Sequence, residues 1–239
     1  EVGSSAYENI NQTLSLAVQN ADHLAELKGG EQQVPEELFP NQRMDMTDNT
    51  QQWLNLRTRS QFNWGELEAG LYHEKVEHSM DFGPDKRFWY GMASNPDGRA
   101  CSPIGPGCAA GMPMDSEGKT TGASLKASID MSAQDVLRIG SEYQRYRLND
   151  YWSPSGGMMM WPGTFDNIND GERDRAALFS EWESQVAPDW LTLLGVRYEN
   201  VRMDTGEVQG YGNMMGNQTT EAAAFNARDR SQTDHNWDA

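Results

Sequence analysis

Short segments in which apolar and polar residues alternate recur along the whole chain, and they constrain its fold more than any other feature. In the segment 66–80, Leu67, Ala69 and Leu71 alternate with mostly polar residues. A period of two places successive side chains on opposite sides of an extended strand, so the pattern predicts a β-strand with one apolar and one polar face. We predict eight such strands and the beginning of a ninth, over residues 9–19, 23–33, 49–62, 66–80, 119–131, 136–152, 173–186, 190–203 and from Asp229 onward.

The connections between these segments alternate strictly between short and long. Short turns are interleaved with four long connections, at residues 34–48, 81–118, 153–172 and 204–228. A soluble β-sandwich has no reason to keep its long loops on one side of every hairpin, whereas outer-membrane barrels have short turns at one end and long loops at the other. The sequence therefore predicts an all-β fold, an antiparallel up-and-down meander that forms part of a transmembrane β-barrel.

The charge balance limits the possible partners. Among 239 residues, 19 are Lys or Arg and 36 are Asp or Glu, which gives a formal net charge of −17 at pH 7. The phosphates of a nucleic acid would be repelled by such a chain, so we expect no nucleic-acid partner. No apolar run approaches the roughly 18 residues of a membrane-spanning helix.

The acidic residues of the polar faces give no indication of catalysis. A glycosidase needs two carboxylates that converge on one bond, whereas here the acids are spread over several strands with basic residues beside them. No Ser-His-Asp order, nucleophile elbow, phosphate-binding loop or zinc-ligand spacing is present. We therefore predict that the chain is not an enzyme. We expect a salt-bridged polar surface that includes Glu66, Glu68, Glu74, Glu142, Glu181, Glu183 and Glu199 with Arg57, Arg138 and Arg197.

Two cysteines, Cys101 and Cys108, lie in the Gly- and Pro-rich run ACSPIGPGC within the second long connection. A close pair of cysteines in a loop is typical of a disulfide formed in an oxidising compartment. We predict a disulfide between them, with free thiols or metal ligands as the alternatives.

Methionine is concentrated in the predicted long connections, where no core is expected to form. Several of these residues form M-x-M or H-x-M pairs, and alternate residues of an extended chain point the same way. Thioether and imidazole groups are ligands of soft metals such as Cu(I). The candidate ligand-binding residues are Met44, Met46, Met112, Met114, Met158, Met159 and Met160, and the candidate metal pair is His78 with Met80. The alternative is packing between loops, with His78 hydrogen-bonded to a loop carbonyl.

Several longer stretches of the sequence resemble those of a known protein family. They are NQRMDMTDN at 41–49, the segment 63–85 with its HSMDFGPDK end, GMPMDSEGKTTGASLKA at 111–127, LRIGSEYQRYRLNDYW at 137–152, FDNINDGERDRAALFSEWE at 165–183, LLGVRYENVRMDTGEVQGY at 193–211 and FNARDRSQTDHNWD at 225–238. These stretches resemble TonB-dependent outer-membrane receptors, and within that family they resemble most the metal-receptor branch that includes copper receptors. The resemblance covers most of the chain from about Tyr7 onward.

The resemblance implies a bacterial outer-membrane barrel of about 22 strands that is closed by an N-terminal plug domain. The chain, residues 1–239, would be an internal segment that supplies about eight or nine of these strands and lacks the plug. The implied partners are outer-membrane lipid, the receptor's own plug domain and the TonB complex, which supplies energy for uptake into the periplasm.

The resemblance also implies a cargo. Copper receptors of this branch carry an H-x-M pair as metal ligands, and this pair corresponds here to His78 and Met80. The implied cargo is an extracellular ligand, either a copper ion or a metal chelate such as a siderophore, and no intrinsic cofactor is expected.

A second hypothesis belongs to a different class, a secreted β-sandwich that binds carbohydrate. In that case exposed tryptophans would line a groove, namely Trp53, Trp89, Trp152 and Trp161. The two hypotheses differ in where the apolar side chains lie. A barrel wall exposes them on one face of the sheet, whereas a sandwich buries them between two sheets.

Overall fold

The structure, a computed structural model, is an almost entirely β-stranded chain. It describes residues 5–40, 42, 44–82, 89–90, 93–94, 111–155, 160–212 and 218–239. The elements in chain order are β1 (Tyr7–Gln19), β2 (His23–Glu37), β3 (Met44–Phe62), β4 (Gly65–Phe82), β5 (Trp89–Tyr90), β6 (Ala93–Ser94), β7 (Met114–Asp130), β8 (Asp135–Trp152), β9 (Phe165–Ala187), β10 (Trp190–Asp204), α1 (Gln218–Asn226) and β11 (Gln232–Asp238).

Nine of these strands form one antiparallel sheet, in the order β1-β2-β3-β4-β7-β8-β9-β10-β11. Each strand pairs with the next long strand along the chain, and the two short strands β5 and β6 pair only with each other. The sheet does not close on itself within the described residues. The predicted all-β meander is therefore confirmed, as an open section of a barrel wall.

The short turns have local sequence causes. Asn20 Oδ1 accepts hydrogen bonds from the backbone N–H groups of Asp22 and His23, at 2.9 and 2.7 Å, and so closes the turn between β1 and β2. Gly65 follows the turn between β3 and β4 with φ at +135°, and a Cβ there would lie 2.0 Å from the Ser128 carbonyl oxygen. Only glycine fits this close approach.

The two faces of the sheet differ sharply, and we call them the outer and inner faces. The outer face carries apolar rungs, a rung being a row of directly paired residues across the strands. One rung consists of Leu16, Leu27, Leu56 and Leu71 on β1 to β4, and all four are exposed, by 36 to 58%. The inner face carries the ion-paired residues, such as Arg138. The apolar side chains are thus turned outward rather than packed into a core.

The outer face ceases to be apolar toward the end that bears the long connections. Two rungs beyond the leucines, every paired residue from β1 to β9 is polar or charged: Gln12, Glu31, Gln52, Lys75, Lys119, Arg147 and Glu172. We call this row the polar rung. The apolar band therefore has a defined upper limit, as expected for strands that continue beyond a hydrocarbon layer.

The strands extend farther into the long connections than predicted. Met44 and Met46 lie in β3 and Met114 begins β7, so their placement in loops was wrong. The segment 165–172, also predicted to be a loop, belongs to β9. Beyond the apolar band both faces are polar, so the period-two signal disappears although the backbone pairing continues.

The last long connection contains a helix that the sequence analysis did not predict. The side chain of Asn226, the last residue of α1, donates to the Val208 carbonyl oxygen at 2.8 Å and accepts from its N–H at 2.9 Å. This pair of bonds fastens the helix to the segment that follows β10. No helix among the described residues has the length and apolar character needed to cross a bilayer.

The sandwich hypothesis is wrong for this fold. The nine long strands belong to one sheet, and in the described part of the chain the only other sheet is the two-stranded β5–β6 pair. Large apolar side chains such as Leu14, Leu178 and Leu194 are 59 to 67% exposed. A sandwich would bury such residues between its two layers.

Candidate metal-binding site

Three methionines from adjacent strands share one rung of the sheet, close to its upper end. Met46 on β3 is paired with Met80 on β4, and Met80 is paired with Met114 on β7. Strand alternation places all three on the inner face, in phase with His78. Directly opposed residues have Cβ atoms about 4.5–5.5 Å apart, and methionine has three rotatable bonds. We call Met46, Met80 and Met114 the thioether rung.

His78 lies two residues before Met80 and therefore on the same face, roughly 7 Å below it. Its ring is half-buried, and Nδ1 lies 3.1 Å from the side-chain oxygen of Asn49 on β3. The partner is thus a neighbouring strand's side chain, whereas the packing alternative expected a loop carbonyl. With Nδ1 engaged by Asn49, Nε2 is the ring nitrogen available to a ligand.

Aspartates alternate with these methionines and hold connecting segments against the opposite face of the sheet. Asp45 is fully buried on the outer face, where Oδ1 accepts the backbone N–H of Phe39 at 2.7 Å. Asp81 is paired with Asp45, and its Oδ1 accepts the backbone N–H of Met112 at 2.6 Å. Each carboxylate fastens a connecting segment to the outer face. The methionines on either side of these aspartates lie on the inner face by strand alternation.

The thioether rung continues into aromatic residues. Met114 is paired with Trp152, and Trp152 is paired with Phe165 on β9. The ring centroids of Trp152 and Phe165 lie 6.2 Å apart in a T-shaped arrangement, and that of Tyr211 lies 5.5 Å from Phe165. The indole N–H of Trp152 donates to Asp150 Oδ1 at 2.9 Å, which fixes the ring. The same row of paired residues thus continues from the thioether of Met114 to the aromatic rings of Trp152 and Phe165.

Two further candidate methionines lie above this aromatic end. Met160 and Tyr211 form a small buried cluster, 6% and 4% exposed, against which Met112, Trp152 and Phe165 pack. Ser155 holds the cluster in place, because its hydroxyl donates to the Gly111 carbonyl oxygen at 2.6 Å and its N–H to the Met160 carbonyl oxygen at 3.0 Å. Met160 and Met112 therefore pack within this cluster of aromatic side chains and are not part of the thioether rung.

Of the five remaining candidate residues, one is described by the structure and four lie outside the described residues. Met44 is half-buried on β3 opposite Phe82, one rung above Met46. Met158 and Met159, and the predicted disulfide between Cys101 and Cys108, fall outside the described part of the chain.

Below the thioether rung the inner face is a network of ion pairs. Arg138 Nη1 lies 2.7 Å from Glu181 and 2.8 Å from Glu183. Glu68 accepts from Arg57 at 3.0 Å and from Lys126 at 2.6 Å. The predicted salt-bridged surface is therefore confirmed. These pairs are partly exposed and contribute little to stability individually, but they leave a polar lumen wall under the soft ligands.

The chemistry of the rim is that of soft donors. Thioether sulfur and imidazole nitrogen favour Cu(I) over hard cations, which prefer oxygen. Within the described residues, no three His, Cys, Asp or Glu side chains are grouped so as to hold a metal ion. The sequence analysis named Trp152 only as a possible carbohydrate-binding residue and missed Phe165 and Tyr211, although Trp152 shares the inner-face parity of Arg138 and Gln144 and could have been placed at this rim.

Comparisons of the sequence and of the fold with known proteins agree on one family. Residues 3–238 match the family model described as TonB dependent receptor-like, beta-barrel. Among solved structures, the copper transporter OprC matches with a TM-score of 0.70 and 16% sequence identity, over 97% of this chain and 33% of that one. The chain thus spans about a third of the transporter's length, and at this identity the likeness shows the fold alone. No curated protein sequence matches the chain.

Proposed function

Since the chain belongs to the TonB-dependent receptor family, we propose that it is an internal segment of an outer-membrane receptor wall that captures copper for TonB-energised uptake into the periplasm. Members of this family are transport receptors and not enzymes.

The observation that carries the copper assignment is the register of β3, β4 and β7. Three methionines far apart in the sequence, Met46, Met80 and Met114, are direct neighbours on the inner face. Packing alone does not require sulfur at each position, whereas a Cu(I) ion gains from two or three thioethers. His78 supplies a nitrogen donor one rung below. A copper transporter shares this fold, and a metal chelate is the second candidate cargo.

The inner face supports the proposed plug partner. Its ion pairs, such as Arg138 with Glu181 and Glu183, line the surface that a plug would face in a closed barrel. A partly exposed network of this kind presents both charges to a neighbouring domain without requiring burial of an unpaired group. The outer face, with its exposed leucine rung, supports membrane lipid as the other partner.

The test is a Cu(I) titration of the full-length receptor in detergent, in competition with a chromogenic Cu(I) chelator. The variant combines His78→Ala with Met80→Ala, and we expect its affinity to fall at least tenfold, because loss of an outer-shell partner alone typically costs about 10- to 100-fold. Met131→Leu is the matched control, since Met131 lies 61% exposed just beyond the end of β7, far from the rim.

Three results would contradict the copper assignment or the residues named for it. Unchanged affinity in the double variant would remove His78 and Met80 as ligands. Equal losses in the double variant and in Met131→Leu would show a general effect of methionine removal. Absence of Cu(I) binding by the unmodified receptor would direct attention to a metal chelate.

A further inference from the structure

A small gap in the inner face lies directly below the thioether rung. His78 on β4 is paired with Ser116 on β7, and Ser116 is paired with Asp150 on β8. All three lie on the inner face, one rung below Met114. Neighbouring strands are about 4.8 Å apart, so the Cα atoms of His78 and Asp150 are roughly 10 Å apart, with only the short side chain of Ser116 between them. We call the gap between His78 and Asp150 the niche.

The indole of Trp152 borders the niche on the side opposite His78. Trp152 follows Asp150 by two residues on the same face, and its indole N–H donates to Asp150 Oδ1 at 2.9 Å. Because Asp150 is one rung closer to the short turns, this bond directs the ring down the strand toward the niche. The ring is half-buried. Trp152 is therefore placed between the level of the thioethers and the level of His78.

Asp150 is held in a fixed position as well. Its Oδ2 accepts a hydrogen bond from the side-chain amide of Asn167 at 3.0 Å. Each carboxylate oxygen thus accepts from a neutral donor, and neither bond offsets the negative charge. Hydrogen bonds in a chain polarise one another, so donation from the indole N–H to this anion makes the π face of Trp152 more negative. Both the charge and the ring favour a cation in the niche.

Aromatic contacts hold Trp152 on its other side. Phe165 is its partner on β9, and the two ring centroids lie 6.2 Å apart in a T-shaped arrangement. Met114, its partner on β7, lies on the opposite side of β8. The ring is therefore supported from the β9 side, and its β7 side is left for Met114 and the niche.

We propose that the π face of Trp152 is a further, specificity-determining contact for the Cu(I) ion that the thioether rung captures. The ion lies in the niche, with the sulfurs of Met80 and Met114 above it, His78 Nε2 on one side and the indole on the other. A cation within about 6 Å of a tryptophan ring centroid is attracted by the ring quadrupole. This inference rests on the proposed function, because it concerns the same cargo and the same rim.

A π contact suits a transported ion better than a fourth strong ligand would. A soft monovalent ion accepts sulfur, imidazole and π donors in exchange for water, whereas hard cations prefer oxygen. The indole closes one side of the site to water without adding a strong ligand. The ion is thus selected by the softness of its surroundings and remains exchangeable, as uptake requires.

The first test is ¹⁹F NMR of the full-length receptor labelled with 5-fluorotryptophan and titrated in detergent with Ag(I), a soft monovalent cation that air does not oxidise. The Trp152 resonance is identified by its absence from Trp152→Phe. We expect this resonance to shift in step with metal occupancy. The control is Trp53, which packs against Gly30 on the inner face and is paired with Glu74, six residues before Met80. Its resonance should not move.

The second test is the Cu(I) affinity, measured by competition with a chromogenic chelator. We expect Trp152→Leu, which removes the π face, to weaken Cu(I) binding about five- to thirtyfold. Trp152→Phe retains a smaller ring, so we expect only about a two- to fivefold loss. Trp53→Leu is the matched control and should leave the Cu(I) affinity unchanged.

Three results would overturn this inference alone. They are a Trp152 resonance that stays fixed while the receptor binds Ag(I), equal Cu(I) affinity in Trp152→Leu and the unmodified receptor, and equal losses in the Leu and Phe variants, which would make the ring a packing residue. Absence of Cu(I) binding by the unmodified receptor, or full affinity in the variant that combines His78→Ala with Met80→Ala, would instead contradict the proposed function and this inference with it.

Discussion

Met80 and Met114 are direct cross-strand partners on the inner face, although 34 positions separate them in the sequence. If both thioethers bind one Cu(I) ion, removal of either one should remove most of the affinity that the two contribute together. We expect Met80→Leu and Met114→Leu each to weaken Cu(I) binding about tenfold or more, and the double variant to bind little more weakly than either. The measurement is Cu(I) competition titration of the full-length receptor.

Leucine is chosen for these variants because it retains the volume of methionine and removes only the sulfur. Met131→Leu again serves as the control. Fully additive losses would indicate two independent sites, and unchanged affinity in all three variants would leave the thioether rung as packing only.

A new charge at one height should destabilise the outer face far more than the inner face. Leu125 lies on the outer face of β7, 47% exposed, and its neighbour Ser124 lies on the inner face, paired with Glu142. We expect Leu125→Arg to destabilise the receptor by about 2–4 kcal/mol in lipid, because the arginine enters the hydrocarbon layer. Ser124→Arg should cost under about 1 kcal/mol, since it enters a polar, partly exposed face opposite Glu142, whose carboxylate already pairs with Arg197 at 2.7 Å.

The measurement is urea unfolding of the receptor in lipid vesicles, followed by tryptophan fluorescence. Equal destabilisation by the two arginines, or a greater loss at Ser124, would contradict the assignment of the outer face to lipid.

Asp81 should control the segment that leads into β7. Its Oδ1 accepts backbone N–H groups from Met112, at 2.6 Å, and Phe82, at 2.7 Å. We expect Asp81→Ala to leave the Met112 N–H without this partner, at a local cost of about 1–3 kcal/mol. Amide hydrogen exchange at Met112 should then become faster. Asp115→Ala is the matched control, because Asp115 accepts from the Ser79 hydroxyl at 2.6 Å and not from Met112. Unchanged exchange in Asp81→Ala would disprove the role.

Much of the architecture was predictable because a sheet with one apolar and one polar face imposes a period of two on the sequence. Wherever one face meets an apolar layer, as at Leu67, Ala69 and Leu71, the alternation is visible in the sequence and reports both the strand and its faces. The strict alternation of short and long connections then predicted that all short turns lie at one end of the sheet and all long connections at the other. The salt-bridged inner face followed from the same parity, and Arg138 with Glu181 confirms it.

The same reasoning explains where the prediction was wrong. Above the apolar band, Lys75 and Glu77 on one side alternate with Val76 and His78 on the other, so the hydrophobic signal that marks a strand is weak. Pairing of backbone groups continues there without it, and β3, β7 and β9 are longer than predicted. The helix α1 was missed within a long connection, although the run of alanines before Phe225 favours a helix.

By itself, then, the sequence determined the strands, their two faces and the family resemblance, since these depend on local alternation and on motifs readable along one segment. Only the tertiary structure decided that Met46, Met80 and Met114 share a rung, and that Lys75, Lys119 and Arg147 share another. The physical reason is register. A shift of one residue between two strands moves every side chain to the opposite face, and long connections carry no information about which residues they bring opposite one another.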